Sequence, residues 1–170
     1  MLYKMFGVAL VVASCGSVGF CMAAQHRAEE RSLRNLTNIL DFMECELRYK
    51  LTPLPELCRQ VAAEFPQVPG SFFAELSNVI DSQTTPDMES CVREVIRANR
   101  NLPEATQKIL EDLGKTIGRF DLEGQLKGLF AVHNECKRNL DLLENDRESR
   151  LRSYQTLGLC AGAALAILLI

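Results

Sequence analysis

His133 and Cys136 come nearest to a chemical pair. They stand three apart on one helical stripe, where an imidazole and a thiol could share a metal ion or act as a Cys–His nucleophile. Either use needs a third group, another ligand or an acid that orients the imidazole. The pattern places none, because the rest of that stripe is Leu122, Leu126, Leu129, Leu140 and Leu143. The pair reads as part of a helix interface. Glu44 and Glu46 point to different helix faces and form no acid–base pair. Walker A, GxGxxG and GxSxG loops are all missing. The sequence implies no enzyme, no metal and no cofactor.

The seven cysteines carry no framework either. Cys15, Cys21 and Cys160 lie in apolar ends, and Cys45, Cys58, Cys91 and Cys136 are scattered through the middle. An odd count without CxxC predicts free thiols, which suit a reducing cytoplasm. A net charge of −3, no tryptophan and no basic stripe exclude nucleic acid as a partner.

The segment from Leu113 to Gln125 is the richest in candidate contact residues. Three glycines, Gly114, Gly118 and Gly124, surround Arg119, Asp121 and Gln125. The spacing predicts a tight helix–helix turn in which Gly114 or Gly118 takes a positive φ and Asp121 caps the next helix. With Arg119, Asp121 and Gln125 exposed on such a turn, its functional reading is a docking surface made by Gly114, Gly118, Arg119, Asp121 and Gln125.

The elements that would position this junction are helices. Leu33, Leu36, Leu40, Met43 and Leu47 form one apolar stripe, predicting a helix that runs to about Lys50. Thr52-Pro53 looks like a cap followed by proline in the first turn, with a short helix to about Phe65. Pro66 and Pro69-Gly70 break the chain, and Ser71 can cap a helix carrying Phe72, Phe73, Leu76 and Ile80. Thr85-Pro86 repeats the cap-and-proline start before Cys91, Val92, Val95 and Ile96. Pro103 opens a helix ending near Gly114. The last helix carries the Leu122–Leu143 stripe for about three heptads. Short links make this an all-α antiparallel bundle of about six helices.

Both ends of the chain are uncharged, at Met5 to Ala24 and at Ser153 to Ile170. About 20 apolar residues suffice to cross a hydrocarbon core. The predicted organisation is an N-terminal transmembrane helix over 1–24, a helical-bundle domain over 25–152 and a C-terminal transmembrane helix over 153–170. Arg27, Arg31 and Arg34 follow the first run, and Arg147, Arg150 and Arg152 precede the second. The positive-inside rule then puts the bundle in the cytoplasm. Val12-Ala13-Ser14-Cys15 loosely resembles a lipidation box, but the basic residues after it favour a retained span over processing near Cys15. Gly158 and Gly162 form a GxxxG that can pack against another helix. The first and last helices of the bundle lead from and into the membrane, so they should lie side by side.

These residues carry a resemblance. Glu44-x-Glu46-Leu47-x-Tyr49 is followed by Thr52-Pro53-Leu54. Further on come Leu113-Gly114-x-Thr116-x-Gly118-Arg119-x-Asp121-Leu122-x-x-Gln125 and Tyr154-x-x-Leu157-Gly158. Between two apolar ends, this set resembles the stage III sporulation protein AB family over nearly the whole chain. The resemblance implies a non-enzymatic component of the channel-like complex between mother cell and forespore. It also implies a soluble domain similar to the six-helix F-domain of type II secretion platform proteins. That domain would face the mother-cell cytoplasm and contact the complex's secretion-type ATPase and other stage III proteins. Self-association or other subunits could complete so reduced a platform. One departure is Lys50-Leu51, which stands where a Gly-containing turn is expected. The competing reading is a membrane-tethered helical adaptor or sensor unrelated to secretion.

Overall fold

Apolar residues on more than one face of the first helix decide the architecture. Leu33, Leu36, Ile39, Leu40, Met43 and Leu47 are all buried, which no single neighbouring helix could achieve. In the computed structural model, α1 (Leu2–Tyr49) is accordingly covered by several partners. They are α2 (Leu54–Glu64), α3 (Gly70–Ser82), α5 (Glu104–Thr116) and α6 (Leu122–Leu169), with α4 (Met88–Ala98) wedged between α3 and α5. The structure describes the backbone of residues 2–82, 87–118 and 121–169, and the side chains of 24–82, 87–118 and 121–145. Among these residues there are six helices and no strand.

Each helix lies against the next, and α6 returns to α1. Phe72 and Phe73 are buried and meet edge to face, centroids 5.4 Å apart. Phe42 and Phe65 repeat that geometry at 5.9 Å. Burying one such side chain stabilises the fold by about 2 kcal/mol.

α1 and α6 run antiparallel, with their register fixed by polar contacts. Arg34 reaches Glu144 at 2.7 Å and Glu30, on its own helix, at 3.1 Å. Below them, the Thr37 hydroxyl donates to the Leu33 carbonyl at 3.0 Å and lies 3.4 Å from the Cys136 thiol. Lower still, His133 Nε2 stands 3.3 Å from Asp41 Oδ1. The expected side-by-side packing of first and last helices is therefore what the fold shows.

Three predicted starts differ in detail. Thr52 does not cap α2: Pro53 holds that position with no side-chain bond, and the Thr52 hydroxyl donates to Glu46 instead. Ser71 is not a cap either, because α3 already begins at Gly70. The cap of α4 is Asp87, whose carboxylate accepts from the Ser90 amide at 3.3 Å; Thr85-Pro86 lies outside the described residues. Among the described residues no helix is long and apolar enough to cross a membrane. The side chains of the two uncharged runs, with Gly158 and Gly162, lie outside that description.

One close approach was not evident from sequence. A Cβ on Gly128 of α6 would fall 1.7 Å from Thr116 Cγ2 of α5, and the Thr116 hydroxyl is committed to the Asp112 carbonyl at 2.9 Å. Gly128→Ala should therefore destabilise by about 1–3 kcal/mol, against the helix-propensity gain alanine normally brings. Adding Thr116→Ser, which removes the clashing methyl, should restore part of the loss. Urea unfolding of the two single variants and the double variant measures the coupling; a stabilised Gly128→Ala would disprove the contact.

Candidate docking site

The His133–Cys136 pair does not assemble a reactive site. Cys136 turns to α1, donating to the Leu33 carbonyl at 3.5 Å and meeting Thr37. Burial pushes its thiol pKa up, partly offset by the Thr37 contact. Burial likewise pushes the Cys58 thiol up to about 12. Both stay protonated and poorly nucleophilic at neutral pH. His133 is buried and faces Asp41, an acid that α6's own stripe could not reveal because it comes from α1. The approach is off the line of a hydrogen bond, so Nε2 has no hydrogen-bond partner. No three His, Cys, Asp or Glu side chains among the described residues gather around a metal-sized space.

The glycine-rich junction is a built turn. Gly114 is buried where a Cβ would come within 2.9 Å of Val92 Cγ2, so it lets α5 lie close to α4. The Ile117 amide closes the helix on the Leu113 carbonyl at 3.0 Å. Gly118 then adopts φ +86°, the reversal assigned to one of these two glycines. Asp121 caps α6 as predicted: its carboxylate accepts from the Gly124 amide at 3.1 Å, and its carbonyl from the Gln125 amide at 2.9 Å. Arg119 lies outside the described residues.

The α1–α2 connection is held by a different device. Glu46 is only 6% exposed, yet it carries a carboxylate. Lys50 donates to one of its oxygens at 2.6 Å and Thr52 to the other at 3.1 Å, which ties the end of α1 to the start of α2. The Lys50 hydrogen bond is the main reason its pKa lies below the ordinary carboxylate value. Leu51 takes φ +53° between these two donors. A leucine thus holds the left-handed conformation that the missing glycine would have adopted, at a cost of about 1–2 kcal/mol.

These two connections share one end of the bundle. A Cβ on Gly118 would lie 3.5 Å from Met88, at the start of α4, and 4.0 Å from Leu54, at the start of α2. The α1–α6 register leads to the same result. Eight residues beyond the Asp41–His133 contact, Tyr49 comes level with Gln125. Two sequence elements separated by about 60 residues therefore meet at one pole, opposite the end from which α1 and α6 extend towards Leu2 and Leu169.

The model of the stage III sporulation protein AB family matches residues 4–170. The chain belongs to that family. Stage III sporulation protein AB of Bacillus subtilis (strain 168) is 23% identical over 168 residues, covering 98% of each chain. A solved structure of a stage III sporulation protein AB shares the fold with a TM-score of 0.61 and 22% identity, over 72% of this chain and 98% of that one. Two of the three motifs that suggested this family, Glu44 to Leu54 and Leu113 to Gln125, are the connections that meet at the pole.

The buried carboxylate makes a pH prediction. Because the folded pKa of Glu46 is lowered, its contribution is complete above the unfolded value, about 4.3, and is lost as pH falls through the folded value. Glu46→Gln should lower stability at pH 7 and flatten the loss of stability below about pH 4.3. Thermal melts of both proteins from pH 7 to pH 3 test this; parallel curves would remove Glu46 from the account.

Proposed function

We propose that this chain is a non-enzymatic membrane platform of the stage III sporulation complex, with its bundle docking the complex's secretion-type ATPase. Family membership supplies the sporulation setting. The observation that carries the reading is the α1–α6 pairing. The two helices lie side by side and continue from the same pole into the two uncharged runs, Met5 to Ala24 and Ser153 to Ile170. A chain that enters and leaves one bilayer through adjacent helices needs this geometry. In this reading both runs are spans of the mother-cell membrane, the bundle faces the mother-cell cytoplasm, and Gly158 and Gly162 pack against a neighbouring span. Six short-linked helices with no clustered nucleophile, acid pair or metal ligands among the described residues suit assembly better than catalysis.

The full chain in lipid nanodiscs should bind the purified ATPase, as read by interferometry; no binding at micromolar concentrations would count strongly against the platform. Orientation can be read from Cys45, the exposed thiol among the described cysteines. An impermeant maleimide should leave the Cys45 peptide unmodified in intact cells and label it after lysis. Labelling in intact cells would place the bundle outside.

A further inference from the structure

The pole where the two connections meet carries more exposed apolar surface than its turns require. Tyr49 is 76% exposed, Leu51 63% and Leu122 40%. Leu51 is exposed at a backbone conformation that disfavours it, so its side chain is presented at a cost that glycine would avoid. The turn beneath is stiffened by Glu46, Lys50 and Thr52. Under the neighbouring connections lies a narrow apolar cleft lined by Met43, Leu54, Met88, Leu113 and Ile117. We propose that Tyr49, Leu51 and Leu122 form a docking surface for a soluble protein partner that presents an apolar face. This rests on the anchored-platform reading above, and it names the face of the bundle that such a platform uses.

Three features select that occupant. The pole is far from lipid, because α1 runs unbroken from Gln25 to Tyr49, about 37 Å at 1.5 Å per residue. A second copy in the same bilayer points the same way, so its pole cannot face this one. Described basic side chains near the pole are also already paired: Arg48 with Glu44 at 2.6 Å, Lys50 with Glu46 at 2.6 Å and Lys127 with Glu123 at 2.7 Å. Such neutralised pairs give little long-range steering, so the contact is apolar and weakly dependent on salt. An exposed tyrosine on a rigid support is the kind of anchor that dominates protein interfaces.

The test uses the full chain in nanodiscs, with the secretion-type ATPase as the probe. Leu51→Gly relieves the positive φ, so its melting temperature should rise by about 2–5 °C while affinity falls about tenfold. A turn with a purely structural role would gain the stability without losing the affinity. Tyr49→Ser should weaken binding to a similar extent, and Phe130→Ser, exposed on the side of α6, should not. Raising salt from 50 to 300 mM should change wild-type affinity less than threefold. If the wild type binds and the Tyr49 and Leu51 variants bind equally well, the pole is not the dock, although the platform stands. If the pole variants instead alter lipid association or oligomeric state with no change in ATPase affinity, the occupant is wrong. If the wild type does not bind, both readings fall.

Discussion

The contact between α1 and α6 is the constraint on which the rest of this structure depends. Helices α2 to α5 are 11 to 13 residues long, lengths at which an isolated helix is marginal in water. Helices α2, α3 and α5 persist because they lie on the broad apolar surface of α1, which α6 closes on its remaining side, and α4 because it packs between α3 and α5. Closing it joins residues from opposite ends of the sequence: Leu33 with Cys136, Arg34 with Glu144. The four short helices are thereby held inside one long loop, and the two chain extensions leave together from one pole. The core and the shared exit of the two chain ends follow from the same seam.

How much of this was legible depended on how local each signal was. The leucine stripes announced α1 and α6 because helical periodicity is a property of neighbouring residues, and Gly118 and Asp121 announced their turn for the same reason. Thr52 was misread since a hydroxyl before a proline resembles a cap, while its actual acceptor, Glu46, lies back on α1. Asp41 beside His133 and Thr116 against Gly128 were invisible, because each contact joins two helices whose register no single stripe reveals. Leu51 lay between these cases. The departure from an expected glycine turn was legible, but the chain's answer to it was not. It kept the left-handed turn and stiffened it with Glu46 and its two donors.

That answer bears on the pole. Local preference, packing and turn chemistry agree through most of this chain, and agreement of that kind gives a sequence one structure. At Leu51 they disagree, and the disagreement sits on exposed surface where no core packing demands a leucine. Gly114 also sits against local preference, inside α5, but there packing demands it, since the Val92 side chain leaves no room for a Cβ. The two connections that meet at the pole thus follow different logics. One is shaped by the interior of the bundle, and the other holds a large apolar side chain outward against its own backbone preference.

The polar residues of the α1–α6 seam complete the argument about placement. Leucine stripes alone tolerate sliding, because a one-turn slip of about 5.4 Å sets leucine against leucine again. The same slip would part Cys136 from Thr37 and Leu33, His133 from Asp41, and Arg34 from Glu144. Thr37 would keep its bond to the Leu33 carbonyl within α1, but Cys136 would lose both of its partners and His133 its neighbouring carboxylate. The seam's polar contacts therefore select one register out of several that the hydrophobic pattern allows. For two helices that both continue beyond the bundle, register also sets the relative height of their extensions. A slip would displace one apolar run along the other by a full turn. His133 and Cys136 read in sequence as the nearest approach to chemistry. In the fold they fix where α6 stands against α1, and so how the bundle meets whatever its two ends enter.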